Sequence, residues 1–340
     1  MKKTMKTTIS VFFMTAAVWL VASALVWPQS GKVGEGNKQA PQGLLNGMMN
    51  RARNRALSAR KQPETPNSQE NIPIESPGFF YFTTADFPGA ALSEAYDVSN
   101  SAIVVGGFIY DPTNPNSQSH GFTFSGGNYH QVDVPGATLT IIAAVNTTLQ
   151  MVGAYVDASN NDHGFLDNGG VFTTIDVPGS TYTEAVDINN AGQIVGGFTD
   201  GTGTHGFLDI GGTFTSIDFP GATSTQAAGI NASGEIVGIY SDALLNQHGF
   251  LKSGSVFISL DFPGATATTA FGINDEGKIS GYYFDASNVS HGFVYFDGNF
   301  NTVAVPGAAY TELTHIKNTG RIAGTFSDTL MESHGLSANP

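Results

Sequence analysis

From residue 79 onward the chain alternates short apolar runs with polar turns, and one stretch shows the pattern. Residues 225–230 form a first run, which Asn231-Ala232-Ser233-Gly234 interrupts as a turn. Residues 235–240 (EIVGIY) are a second run, 241–247 a polar hairpin loop and 249–252 a third run. Ser253-Gly254-Ser255 makes a tight turn before a fourth run at 256–261, and Pro263-Gly264 closes the unit. Proline cannot donate to a sheet ladder and glycine tolerates positive φ, so this pair ends a strand. The runs are rich in Ile, Val, Phe, Tyr and Thr and too short for helices. They predict four β-strands.

This unit recurs. His-Gly-Phe begins at His120, His163, His205, His248 and His291, and His334 opens a final His-Gly-Leu, at spacings of 43, 42, 43, 43 and 43. Pro-Gly-Ala or Pro-Gly-Ser begins at Pro88, Pro135, Pro178, Pro220, Pro263 and Pro306, at spacings of 47, 43, 42, 43 and 43. The long first spacing marks an insertion near Asp111-Pro112-Thr113-Asn114-Pro115. Four strands in about 43 residues match the ~40–45 of a propeller blade. Closure is favoured over an open solenoid because polar capping repeats are missing. The chain is also out of phase. Residues 79–86 read as a fourth strand without its first three, and His334-Gly335-Leu336 as a third strand without its fourth. Joined, they complete a sixth blade and seal the ring. The expected fold is an all-β, six-bladed β-propeller over residues 77–340.

The unit I-N-x-x-G-x-I-V-G … H-G-F-L … F-x-x-I-D-x-P-G-A resembles the bacterial extracellular HAF repeat, named for a His-Ala-Phe triplet. The resemblance covers residues 79–336, with His-Gly-Phe in place of His-Ala-Phe. It implies an exported protein built of propeller-like repeats, and it implies no reaction. The repeat is not of the WD40 kind, since Trp19 and Trp27 are the chain's only tryptophans and precede it.

Charge divides the chain in two. Ten of the 14 basic residues fall in positions 1–61 with one acid, Glu35, whereas residues 62–340 carry 4 basic and 27 acidic residues, a net −23. Overall the net charge is −14, which excludes a nucleic-acid partner because phosphates would be repelled. Lys2, Lys3 and Lys6 precede the apolar segment 9–27, and Ala22-Ser23-Ala24 fits a small-residue cleavage site. Residues 1–27 are therefore expected to be a signal peptide or a membrane anchor, the only membrane contact. Residues 28–76 hold no aromatic residue and read as a disordered basic and polar linker. Either reading places the body outside the cytoplasm, extracellular or in the cell envelope, and the absence of cysteine means that its stability owes nothing to disulfides.

Residues required once per blade are expected to do a structural job. The triplet histidines would bond backbone groups and fix a loop rather than bind metal. The triplet phenylalanines would pack between blades, and the aspartates before Pro-Gly would form turns. Asn146, Asn189, Asn231 and Asn274 fit Asx turns. Residues 157–162 lack the glycine and glutamate of a calcium loop; no cofactor is expected, though weak surface calcium binding is left open.

Function is expected where the inner strands depart from the consensus. Six residues after the marker proline stand Glu94, Ile141, Glu184, Gln226, Thr269 and Glu312; nine after it stand Asp97, Ala144, Asp187, Gly229, Gly272 and His315. Blades 1 and 6 become neighbours on closure, so Glu94, Asp97, Glu312 and His315 are expected to approach one channel mouth; with Glu184 and Asp187 they are the ligand-binding candidates. Offsets six and nine differ in strand parity, so one set is expected to face away. No hydrolase, zincin or phosphate-loop motif is present, and no catalytic or metal-binding residue is assigned. Three readings follow: a non-catalytic extracellular binding or scaffold module for a glycan or protein, a polysaccharide hydrolase or lyase at the channel mouth, or a purely structural surface protein. A monomeric propeller is expected.

Overall fold

The structure, a computed structural model, describes residues 81–111, 118–327 and 333–339. The N-terminal signal or anchor, the linker and most of the insertion after Asp111 lie outside the described residues. All regular structure among the described residues is β-strand, in six antiparallel four-stranded sheets arranged as a six-bladed β-propeller.

Blade 1 comprises β2 (Leu92–Val98), β3 (Val104–Ile109), β4 (Ser119–Ser125) and β5 (Asn128–Val132). Blade 2 is β6 (Leu139–Val145) to β9 (Phe172–Ile175), blade 3 β10 (Tyr182–Ile188) to β13 (Thr213–Ile217), and blade 4 β14 (Ser224–Ile230) to β17 (Val256–Leu260). Blade 5 runs from β18 (Ala267–Ile273) to β21 (Asn299–Val303). Blade 6 draws on both ends of the chain. β22 (Tyr310–Ile316), β23 (Ile322–Ser327) and β24 (Ser333–Asn339) are completed by β1 (Tyr81–Thr84), which pairs antiparallel to β24 from Tyr81↔Asn339 to Thr84↔Leu336. The expected closure is borne out.

Each blade begins with a tight turn on Pro-Gly. In blade 5 the Ala265 amide donates to the Phe262 carbonyl at 3.0 Å, with Gly264 at φ 80°, as a type II turn requires. A Ser or Thr five residues after the proline holds the turn in all six blades; Thr268 Oγ1 accepts from the Phe262 amide at 2.9 Å. The triplet glycines exist for close approach. A Cβ on Gly292 would stand 2.8 Å from both the Val303 carbonyl oxygen and Leu313 Cγ. The triplet phenylalanines pack as expected: Phe165 is buried with Val105 of blade 1 as well as Val134 and Ile142 of blade 2.

First strands are innermost, each against the first strands of both neighbouring blades. The first strand carries a β-bulge in all six blades: in blade 1 Ala95 pairs with Gly106 and Asp97 with Val105, leaving Tyr96 extra, and in blade 6 the shift falls between Leu313 and Ile316. In blades 1–5 the extra residues are Tyr96, Ala143, Val186, Ala228 and Phe271. They belong to one buried cluster, together with Ile141, Ile239, Tyr282 and Phe284, that fills the middle of the ring. A bulge re-aims side chains; here it supplies an apolar plug.

Candidate functional site

The bulge also corrects the expected parity. Glu94 opposes Gly107 and Asp97 opposes Val105. With Tyr96 looped out, the residues at offsets six and nine occupy register positions two apart, which share a face of the sheet. Both sets are turned into the ring and buried. Glu94 and Glu312 are 3 % exposed, Glu184 and Asp97 0 %, Asp187 4 % and His315 2 %. They are not solvated channel residues.

Three of the six candidates converge, while Glu94 and Glu184 each bond a tyrosine of their own strand. Glu94 Oε2 accepts from the Tyr96 hydroxyl at 2.5 Å, and Glu184 Oε2 from the Tyr182 hydroxyl at 2.7 Å. Asp97 of blade 1, Asp187 of blade 3 and His315 of blade 6 do converge, with one donor atom of each within 4.8 Å of the others. Asp97 Oδ1 accepts from the Val98 amide at 2.7 Å and its Oδ2 from the Val145 amide of blade 2 at 2.9 Å. Asp187 repeats this pattern toward blade 4, accepting from Ile188 at 2.8 Å and Ile230 at 2.9 Å. The His315 imidazole donates from Nδ1 to the Tyr96 carbonyl at 2.8 Å, and its Nε2 lies 3.6 Å from Asp187 Oδ1.

A residue that sequence reasoning passed over completes the group. Lys317 Nζ lies 2.8 Å from Asp97 Oδ2. Burial alone would lower the His315 pKa, but the charges of Asp97 and Asp187 raise it above the ordinary histidine value. Burial opposes ionisation of Asp187 as well, yet His315 and Lys317 hold its carboxyl below the usual range. Two carboxyl groups thus face the Lys317 ammonium and an imidazole whose charged form they favour. Asp97, Asp187 and His315 are the types of donor a transition metal takes, but the Lys317 ammonium already occupies the cation position on Asp97. The arrangement ties blades together, with Asp97, Asp187 and His315 buried and Lys317 partly exposed. Lys317 had a signal in the sequence, since it stands at the repeat position held by Asn146, Asn189, Asn231 and Asn274 in other blades.

Those asparagines do form the expected Asx turns, as where Asn231 Oδ1 accepts from the Glu235 amide at 2.9 Å. They do more. Each side-chain amide donates to the backbone carbonyl of the equivalent residue one blade on, Asn189 to Asn231 at 3.1 Å and Asn274 to Lys317 at 3.3 Å. The rim they make encloses a recess of about 50 Å³ above Asp187 and His315. That holds a water or an ion, not a sugar.

The triplet histidines bond carboxylates, not the expected backbone groups. His163 Nδ1 lies 3.0 Å from Asp176, His205 Nδ1 2.6 Å from Asp218 and His248 Nδ1 2.7 Å from Asp261. The aspartate before Pro-Gly is therefore the histidine's partner, a role read from sequence as turn formation alone. In blade 5, where Ala304 replaces that aspartate, His291 turns its Nε2 to Asp285 at 3.0 Å. Asp157 caps its own loop through the Ser159 and Asn161 amides, both at 2.8 Å.

A second, larger hollow of about 620 Å³ opens on the flank of blade 3, where the partly exposed Phe214 and the polar Asp200, Thr202, His205, Ser216 and Asp218 line it over the buried Val177, Phe198 and Phe207. None of these was singled out from sequence as a binding residue.

No known protein-family profile matches the chain, and no curated protein does. Solved structures match the fold. A mutant of the Aleuria aurantia lectin in complex with Fucalpha1-6GlcNAc aligns at 12 % identity over 76 % of this chain and 96 % of the lectin, with a TM-score of 0.47. TolB from Acinetobacter baumannii aligns at 10 % identity over 69 % of this chain and 63 % of its own, with a TM-score of 0.50. Trypanosoma rangeli sialidase aligns at 10 % identity over 81 % and 60 %, with a TM-score of 0.45. At such identities the likeness is one of fold: this chain is a six-bladed β-propeller.

Proposed function

We propose that this chain is an exported, non-catalytic binding module of the HAF-repeat kind whose propeller engages a glycan. One observation carries the reading. The axis, where the acidic candidates lie, is plugged by apolar side chains and leaves a recess of only about 50 Å³ over the ion-paired cluster, while the larger hollow lies on the flank of blade 3 and combines phenylalanines with hydroxyls and carboxylates. A pocket of ~300–1,000 Å³ with an apolar lining and a few polar groups is the usual form of a small-ligand site. Apolar rings with hydrogen-bonding groups around them suit a sugar, which offers C–H faces and hydroxyl edges. Export rests on the N-terminal lysines, the apolar segment and the cleavage pattern.

A glycan array probed with the full-length chain, with turnover of the same sugars measured in parallel, tests this. Binding without turnover is the expected result. Turnover would instead favour a polysaccharide hydrolase or lyase, and silence on the array would favour a purely structural surface protein.

A further inference from the structure

The residue before each marker proline is Phe in blades 1, 4 and 5 (Phe87, Phe219, Phe262) and Val in blades 2, 3 and 6 (Val134, Val177, Val305). Where it is Phe, its ring lies flat on the aromatic residue of the second strand. The centroid distances are 3.8 Å for Phe87–Phe108, 3.7 Å for Phe219–Tyr240 and 3.6 Å for Phe262–Tyr283, with interplanar angles of 2°, 3° and 10°. The same ring meets a fourth-strand aromatic at a steep angle, at 5.6 Å for Tyr129, 5.5 Å for Phe257 and 5.2 Å for Phe300. Each of these blades thus closes its flank with an intervening ring.

Blade 3 keeps the surrounding aromatics without that ring. Phe198 stands on its second strand, Phe207 on its third and Phe214 on its fourth, with Phe207 and Phe214 centroids 5.7 Å apart. Val177 occupies the place of the phenylalanine and lines the hollow together with all three. A second closure is missing too. In blades 2, 4 and 5 a second-strand tyrosine hydroxyl bonds a fourth-strand hydroxyl, as Tyr155 does to Thr174 at 2.8 Å and Tyr240 to Ser259 at 3.0 Å. Phe198 has no hydroxyl, so Ser216 keeps only its bond to Asp218 Oδ2 at 2.8 Å, the counterpart of the Ser259–Asp261 bond in blade 4. Blade 6 repeats Val305 and Phe326 but has Leu336 in place of the third-strand phenylalanine.

We infer that the blade 3 slot is the glycan site, and that it takes one neutral pyranose residue, its C–H face against the partly exposed Phe214, the fourth-strand aromatic that in other blades meets the intervening phenylalanine ring. This rests on the binding reading above and commits it to one site. The walls supply partners for hydroxyls. Thr202 Oγ1 lies 2.6 Å from Asp200 Oδ1 and 2.9 Å from His205 Nε2, and His205 Nδ1 lies 2.6 Å from Asp218 Oδ1. The hydrogen bonds from Thr202 hold the Asp200 carboxyl below its ordinary pKa, so it stays ionised near neutrality. Two carboxylates at the slot, on a body of net −23, select against uronic and sialic acids.

The test fills the slot with the residue that the fold accepts at this position in three other blades. Saturation-transfer NMR and titration calorimetry on the full-length chain use neutral gluco-, galacto- and manno-oligosaccharides, with uronate oligosaccharides alongside. Val177→Phe is expected to weaken neutral-sugar binding at least tenfold without lowering the thermal midpoint, while Val134→Phe in blade 2 leaves binding unchanged. Should Val177→Phe fold poorly, Thr215→Trp, placed on the exposed lip of the same hollow, is expected to give the same loss. Binding by both variants at wild-type strength would overturn the site and leave the module reading intact. A wild-type chain silent toward every neutral sugar would overturn the module reading itself, and preference for uronates would overturn the ligand class.

Discussion

Four seams of the ring and the seam that closes it solve the same problem with different chemistry. Between blades 2 and 3, 3 and 4, 4 and 5, and 5 and 6, a short asparagine amide reaches the next blade's carbonyl, at 3.1–3.3 Å. Between blades 6 and 1 the reach is made by long charged side chains: Lys317 to Asp97 and Arg321 Nη1 to the Asn100 carbonyl, each at 2.8 Å. His315 adds its bond to the Tyr96 carbonyl. The regular seams are spanned continuously by the chain and need only a short tie. The closing seam must hold a blade assembled from the two ends of the sequence, and there the repeat consensus gives way to charge. Two of the six candidates taken from sequence for ligands, Asp97 and His315, belong to this fastening, and Asp187 approaches it through His315.

The largest effect is therefore expected at the closing seam. Asp97→Ala removes the acceptor for Lys317 and for two backbone amides at a fully buried position. Breaking a buried pair on one side costs about 3–5 kcal/mol, a fall of roughly 6–20 °C in the thermal midpoint by calorimetry. Asn231→Ala at a regular seam is expected to cost less, about 1–3 kcal/mol, for an Asx turn and one inter-blade bond. If the two variants lose equal stability, the contrast between seams is wrong.

A subtler contrast comes from pH. His315 has its folded pKa raised by Asp97 and Asp187. Its contribution is complete below its unfolded pKa of about 6.5 and is lost as pH rises through the folded value. Asp187 is held low, so its contribution is present above about pH 3.9 and is lost as pH falls through the folded value. Denaturant midpoints of the wild type should decline on both sides of this window. His315→Gln should abolish the decline on the alkaline side, whereas Asn231→Ala keeps it. The smallest effect is expected at the periphery. The His248–Asp261 pair is 25 % and 52 % exposed, and Asp261→Ala should cost about 0–1 kcal/mol.

Much of the fold was legible because each blade repeats the same local instructions. Pro263-Gly264 dictates a type II turn through a fixed φ and an allowed positive one, and the strand runs at 225–230 and 235–240 lie within a residue or so of β14 and β15. The closure was legible as phase, since residues 79–86 lacked the three strands that the chain's other end supplied. The β-bulge was not. A run such as Leu92–Val98 looks like an unbroken strand, and only its pairing with Val104–Ile109 leaves Tyr96 over. The driver is on the neighbouring strand. A Cβ on Gly106 would stand 1.9 Å from the Glu94 carbonyl oxygen, an approach that only glycine permits.

The sequence by itself determined the strand count, the blade period and the closure, because these depend on turn chemistry and periodicity within about 43 residues. The tertiary structure decided what the departures from the consensus mean. Asp97, Asp187 and His315 come from three different blades, and which groups they meet depends on ring radius and bulge position. Lys317 offsets part of their negative charge by pairing with Asp97. Val177 reads in the chain as an ordinary apolar variant of Phe219, and only the packing shows that it lies with Phe198 and Phe214 along a hollow on the blade's flank.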